Sequence, residues 1–141
     1  MHLEKLITFI LILGCLHSVQ SQEADTSTFQ TFDYEHEGET YVMQQYFIVF
    51  IKKGPKKSAN QEEAQRIQAQ HLEYLGSLFE KGYICMNGPF GDDGDIRGAT
   101  IYRVANAEEA LKLASGDPAV KAGIFTLEVH PWWLARGTGV K

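Results

Sequence analysis

His71 lies in the stretch QRIQAQHLEYLGSLF, residues 65–79, where Ile67, His71, Leu75 and Leu78 fall at i, i+4, i+8 and i+11. Those offsets put all four on one stripe of a 3.6-residue period, so the spacing predicts an amphipathic helix with an imidazole on its apolar face. A histidine so placed has two readings. It is a core residue whose nitrogens are met by neighbours, or it is a general acid or base beside a cleft, with a carboxylate fixing its tautomer. The carboxylate candidate is Asp117, which is followed by Pro118. The same two residues are also what a helix start needs, a capping side chain and a proline at the first helical position. Spacing along the chain leaves open whether Asp117 reaches His71.

The other reactive types are weaker candidates. The loop GDDGD carries Asp92, Asp93 and Asp95. No glutamate-terminated calcium loop follows, so it reads as a solvated turn. Arg97 either neutralises that loop or grips an anionic substrate. His130, in EVHPWW, makes no zinc pair with His71 at any short spacing, so no metal is expected. Trp132 and Trp133 either lid a pocket or pack on a partner subunit, and packing is the preferred reading. Cys85, in YICMNG, reads as a small buried hydrophobe rather than a nucleophile. No cofactor motif is present.

The elements that must position these residues follow from local pattern. YVMQQYFIVFIKK is a strand ending at Gly54-Pro55. Phe47, Val49 and Ile51 form one of its faces and Tyr46, Ile48 and Phe50 the other. Both are apolar, so both must be covered, one by helices and the other by a second sheet. Ser58 or Asn60 caps the His71 helix, with Glu62 and Glu63 in its first turn, and the helix stops at Gly82. Then come a strand YICMNGP, a strand GATIYRV, and a helix capped by Asn106. That helix carries Ala110, Leu111 and Ala114 as its apolar stripe. A short turn of helix from Asp117 and a last strand IFTLEVHPWW complete the chain. The order β-α-β-β-α-β is the α+β, ferredoxin-like split arrangement with an antiparallel four-stranded sheet. Its open face is apolar, and a homodimer is the economical way to bury it.

At 141 residues the chain suits one domain, taken as residues 41–135 with a tail at 136–141. A net charge of −5 and no nucleic-acid-reading motif exclude RNA or DNA as the expected partner. The opening MHLEKLITFILILGCLHSVQS has a charged start, an apolar run and small residues before Gln22, a secretory signal pattern over residues 1–21. Ordinary cleavage near Ser21 is favoured, and the chain is expected to be exported. The alternative is a lipoprotein signal at Cys15, the one route by which this chain would meet a membrane. Removal of residues 1–21 would leave Cys85 alone and no internal disulfide. Residues 22–40, polar and acidic, read as a flexible leader.

QHLEYL on a helix, NGPF closing a strand and DPAVKAG before a last strand together resemble the YciI-like, or YCII-related, family, from about Tyr46 to Trp133. GPFGDDGDIRG and HPWW resemble a subgroup of it. The resemblance implies a ferredoxin-like subunit in a dimeric α+β barrel and an active-site pair, here His71 and Asp117. It also implies that Gly88 and Pro89 form the family's Gly-Pro step, read as a turn or as a pocket wall. One branch resembles dehydrochlorinases of chlorinated hydroxyquinols, and related barrels include lactone isomerases and monooxygenases. The expected function is a cofactor-independent lyase or isomerase, with Arg97, Gly88, Pro89 and Trp132 contacting an unidentified small molecule. The rivals are a dimeric ligand-binding module and a structural protein of the cell envelope. The export signal departs from the cytoplasmic character of familiar members.

Overall fold

The structure, a computed structural model, describes residues 29–140, so the signal segment and Cys15 lie outside the described residues. The elements are β1 (Thr31–His36), β2 (Glu39–Lys53), α1 (Gln61–Glu80), β3 (Ile84–Pro89), β4 (Ile96–Tyr102), α2 (Ala107–Ser115), α3 (Pro118–Lys121) and β5 (Phe125–Ala135). Every strand pairing is antiparallel, and the central four strands run β5-β2-β4-β3, the ferredoxin-like order. Three helices complete an α+β fold.

The sheet has five strands rather than the four expected. Part of the segment read as a leader is β1, which pairs with the first half of β2 from Thr31↔Gln44 to His36↔Glu39. The signal was there in TFDYEH: Phe32, Tyr34 and His36 alternate with Thr31, Asp33 and Glu35 at the strand period. The hairpin closes on Glu37-Gly38, both at positive φ (52° and 81°), the backbone that suits the twist of a two-residue turn. Acidic composition hid an element that alternation reveals.

Alternation along β2 sends Phe47, Val49 and Ile51 to the helix side, where each is less than a tenth exposed. Their partners Tyr102, Thr100 and Gly98 on β4 share that side. Tyr46, Ile48 and Phe50 take the opposite, half-buried side. Leu75 and Leu78 from α1 and Ala110 and Ala114 from α2 close over the first face and make one core. Leu111, expected in the α2 stripe, is instead 46% exposed. Leu113 packs against the core in its place, because 110, 113 and 114 are the residues that share a helical face.

The helices begin and end by readable devices. Asn60 caps α1 by accepting from the Glu63 amide at 2.9 Å, and Asn106 caps α2 by accepting from the Glu109 amide at 2.9 Å. In both, the glutamate reaches back to an amide before the cap, Ala59 and Ala105 respectively. At the far end of α1, Gly82 stands at φ 75°. Its amide donates to Phe79 and that of Tyr83 to Leu78, a left-handed stop that turns the chain into β3.

Candidate active site

The stripe Ile67, His71, Leu75 and Leu78 is the buried face of α1. The imidazole therefore faces the sheet and α3. One turn further along, the Tyr74 hydroxyl donates to the Leu113 carbonyl at 2.8 Å and ties α1 to the end of α2. The chain there passes so close to α1 that a Cβ on Gly116 would overlap the Tyr74 hydroxyl. This close approach sets the next residue, Asp117, beside His71.

His71 Nδ1 lies 2.5 Å from Asp117 Oδ2. Asp117 Oδ1 accepts from the Ala119 amide at 2.8 Å, so the carboxylate caps α3 and holds the imidazole at once. The two contacts of Asp117 are thus made by different oxygens of one group. It is 2% exposed and His71 8%. Phe125 meets the imidazole edge to face at 5.6 Å between ring centres, which fixes the ring plane. An ionised carboxylate only accepts, so Nδ1 carries a proton toward it, and in the neutral ring Nε2 is then the acceptor. Nε2 has no hydrogen-bond partner among the described residues.

Two tyrosines stand near the pair. Burial, then the neighbouring Tyr74 and the Asp117 carboxylate, push the Tyr102 hydroxyl far above the ordinary tyrosine range. Burial, then Asp117, also raise Tyr74. Both remain neutral around the acid.

His71 forms part of the wall of a cavity of about 280 Å³ between α1 and the sheet. Of the residues singled out from sequence, Gly88, Pro89 and Arg97 share this wall, while Asp117 sits behind the imidazole. Arg97 Nη1 donates to the carbonyls of Asp92 at 3.2 Å and Gly94 at 3.4 Å, so the guanidinium braces its own loop at the cavity edge. Trp132 does not join them. Along β5 the residues paired with Ile51, Val49 and Phe47 face the helices, and Trp132, paired with Tyr46, takes the other face at 41% exposed.

On that other face His130 Nε2 lies 2.8 Å from Glu128, whose second oxygen accepts from Lys52 at 3.0 Å. Those bonds, His130 first and Lys52 second, hold the Glu128 carboxyl below its usual range. Among the described residues no cluster with metal-ligand composition occurs. Cys85 is exposed, not buried as expected, because the β3 register shifts between Ile84 and Met86. Crowding by protein atoms nonetheless raises its thiol, with Arg103 pulling the other way.

The cavity has members that residue type alone did not single out: Gln68, Asn87, Thr100 and Phe125. Gln68 precedes His71 by three and shares its helical face, a readable relation. Asn87 and Thr100 are cross-strand partners, visible only once the β3–β4 register is known.

Fold and site together define a class: a ferredoxin-like α+β subunit with a histidine–aspartate pair at the wall of a small cavity. Residues 46–133 match the model of the YCII-related domain, and the chain belongs to that family. A solved structure similar to it is 5-chloro-2-hydroxyhydroquinone dehydrochlorinase from Burkholderia phenoliruptrix AC1100 in complex with 2,5-dihydroxybenzoquinone. It is 28% identical, with a TM-score of 0.46, over 62% of this chain and 92% of that one. No functionally curated protein matches the chain.

Proposed function

We propose that this protein is a small-molecule enzyme of lyase or isomerase type in which His71 moves a proton and Asp117 orients it. The observation that carries the reading is the 2.5 Å contact at Nδ1, with Nε2 left without a partner among the described residues and His71 part of a cavity wall. An oriented imidazole with one free nitrogen is the acid–base half of a hydrolase triad, and among the described residues no hydroxyl or thiol is hydrogen-bonded to that nitrogen. Nε2 takes a proton from carbon next to a carbonyl, or from a phenol hydroxyl, and the electron pair is left on the oxygen and shared with the conjugated carbon. The pair then returns to carbon as the imidazolium gives the proton back elsewhere, or expels a leaving group. Ile51, Leu72, Leu75, Pro89 and Phe125 supply apolar walls that suit a compact ring or short acyl compound.

Export, and a homodimer through the face of Tyr46, Ile48 and Phe50, belong to the same proposal. The N-terminal sequence pattern supports the first. The apolar side chains on a sheet face that no described helix covers support the second.

His71→Gln tests the chemistry. Across a panel of enolisable ketones and phenols in heavy water, carbon-bound hydrogen exchange followed by NMR is expected to fall by about 10²–10⁴-fold in the variant. Its melting temperature should stay near that of the native protein. Equal exchange in both proteins rejects the reading. A steep loss of melting temperature with ligand binding unchanged assigns His71 to packing instead.

A further inference from the structure

Thr100 sits at the centre of β4, is 1% exposed, and faces the helix side between Val49 of β2 and Asn87 of β3. Its hydroxyl is buried without a hydrogen-bond partner among the described residues. Buried hydroxyls are nearly always met, and an unmet one is costly. Packing gives no reason for it. Valine would fill the same space beside Val49 with no polar atom to satisfy, and β-branched apolar residues are what a central strand prefers. Thr100 nevertheless helps form the wall of the His71 cavity, and so does Asn87, an exposed residue of β3. Directly opposed residues of an antiparallel pair have Cβ atoms about 5 Å apart on one face. Thr100 and Asn87 therefore stand side by side on the sheet at the cavity, the first buried and the second exposed, and the imidazole stands on the helix above them.

We infer that the Thr100 hydroxyl, with Asn87 beside it, is a binding group that holds the substrate oxygen on which negative charge develops when His71 removes a proton. This rests on the proposed proton-transfer reading and names the groups that hold the oxygen of its phenol or enolisable carbonyl substrates. A hydroxyl with one rotatable donor and no competing partner is suited to the task, because a bond to a developing oxyanion strengthens as the charge grows. A group retained for this purpose burdens the free protein and repays the burden only with ligand bound.

The probe is 4-nitrophenol, whose phenol and phenolate forms differ in absorbance, with nitrobenzene as the ring that lacks the oxygen. Native protein is expected to bind the phenolate. Thr100→Val should weaken that binding about tenfold or more, as expected for a lost hydrogen bond to a charged oxygen. It should leave nitrobenzene binding unchanged and keep or raise the melting temperature. Thr100→Ser should restore phenolate binding. Equal phenolate affinity in native protein and Thr100→Val overturns the assignment. So does failure of Thr100→Ser to restore binding, or absence of phenolate binding by native protein. If His71→Gln ionises the probe as readily as native protein while Thr100→Val still weakens it, the proton-transfer reading falls and the oxygen-holding role stands.

Discussion

Asp117→Asn is expected to leave the protein folded and to cut the proposed proton transfer by about 10⁴-fold, the scale seen when an orienting carboxylate of a triad becomes an amide. The geometry explains both halves. Oδ1 accepts from the Ala119 amide at 2.8 Å, and the asparagine oxygen can keep that bond, so α3 retains its cap. The asparagine NH₂ then occupies the place of Oδ2, 2.5 Å from His71 Nδ1. An NH₂ donates where a carboxylate accepts, so Nδ1 must become the acceptor and the ring proton moves to Nε2. The nitrogen facing the cavity is then a donor and no longer a base. Ring ¹⁵N shifts of His71 would show the exchange of tautomers directly, alongside a melting curve close to native. A variant with the native tautomer and native rate would show that Asp117 acts only as a cap. Asp117→Ala should behave differently. It removes the cap, worth about 1 kcal/mol, and leaves a buried imidazole donor unmet at about 1–3 kcal/mol more, so lost stability accompanies lost rate.

The second large effect separates the two sides of β2. Val49 is 1% exposed and belongs to the helix-covered core. Val49→Asp buries an unpaired charge there, and the several kcal/mol involved rival the entire stability of a domain this size. The expected outcome is loss of the cooperative melting transition and of native far-ultraviolet dichroism. Ile48, one residue away, faces the other side with Tyr46 and Phe50. Ile48→Asp should preserve the monomer fold and halve the mass seen by light scattering. If native protein already scatters as a well-folded monomer, the dimer is rejected and the face has another use.

Much of this architecture could be read from the chain, for reasons that lie in particular residues. The α1 stripe was legible because a single helix period carries it, and all four residues are buried as the spacing requires. Asn106 and Asp117-Pro118 marked helix starts through local chemistry, and both act as caps. The preceding cap was narrowed to two candidates, and Asn60 takes the role. The meeting of His71 with Asp117 was different. No spacing rule spans a separation of 46 positions: residue type makes Asp117 a candidate, and only the family resemblance pairs it with His71 before the fold joins them. Thr100 and Asn87 were invisible for a related reason: their adjacency depends on strand register, which neither segment specifies alone. For Trp132 residue type leaves a pocket lid and packing on a partner both open, and the two-residue period of β5, counted from its pairing with β2, turns it away from the cavity. β1 is hidden by its acidic composition, although its residues alternate at the strand period.

The double duty of Asp117 also constrains how such a chain can change over generations. A lineage that stopped using the reaction would be free to discard the imidazole, since another side chain can fill the stripe of α1. The acid has no such freedom, because the start of α3 still depends on it. Only other residues that accept an amide proton could replace it without loosening that turn. Retired relatives would therefore be recognised by a missing base beside a surviving cap, an asymmetry built into two oxygens of one side chain.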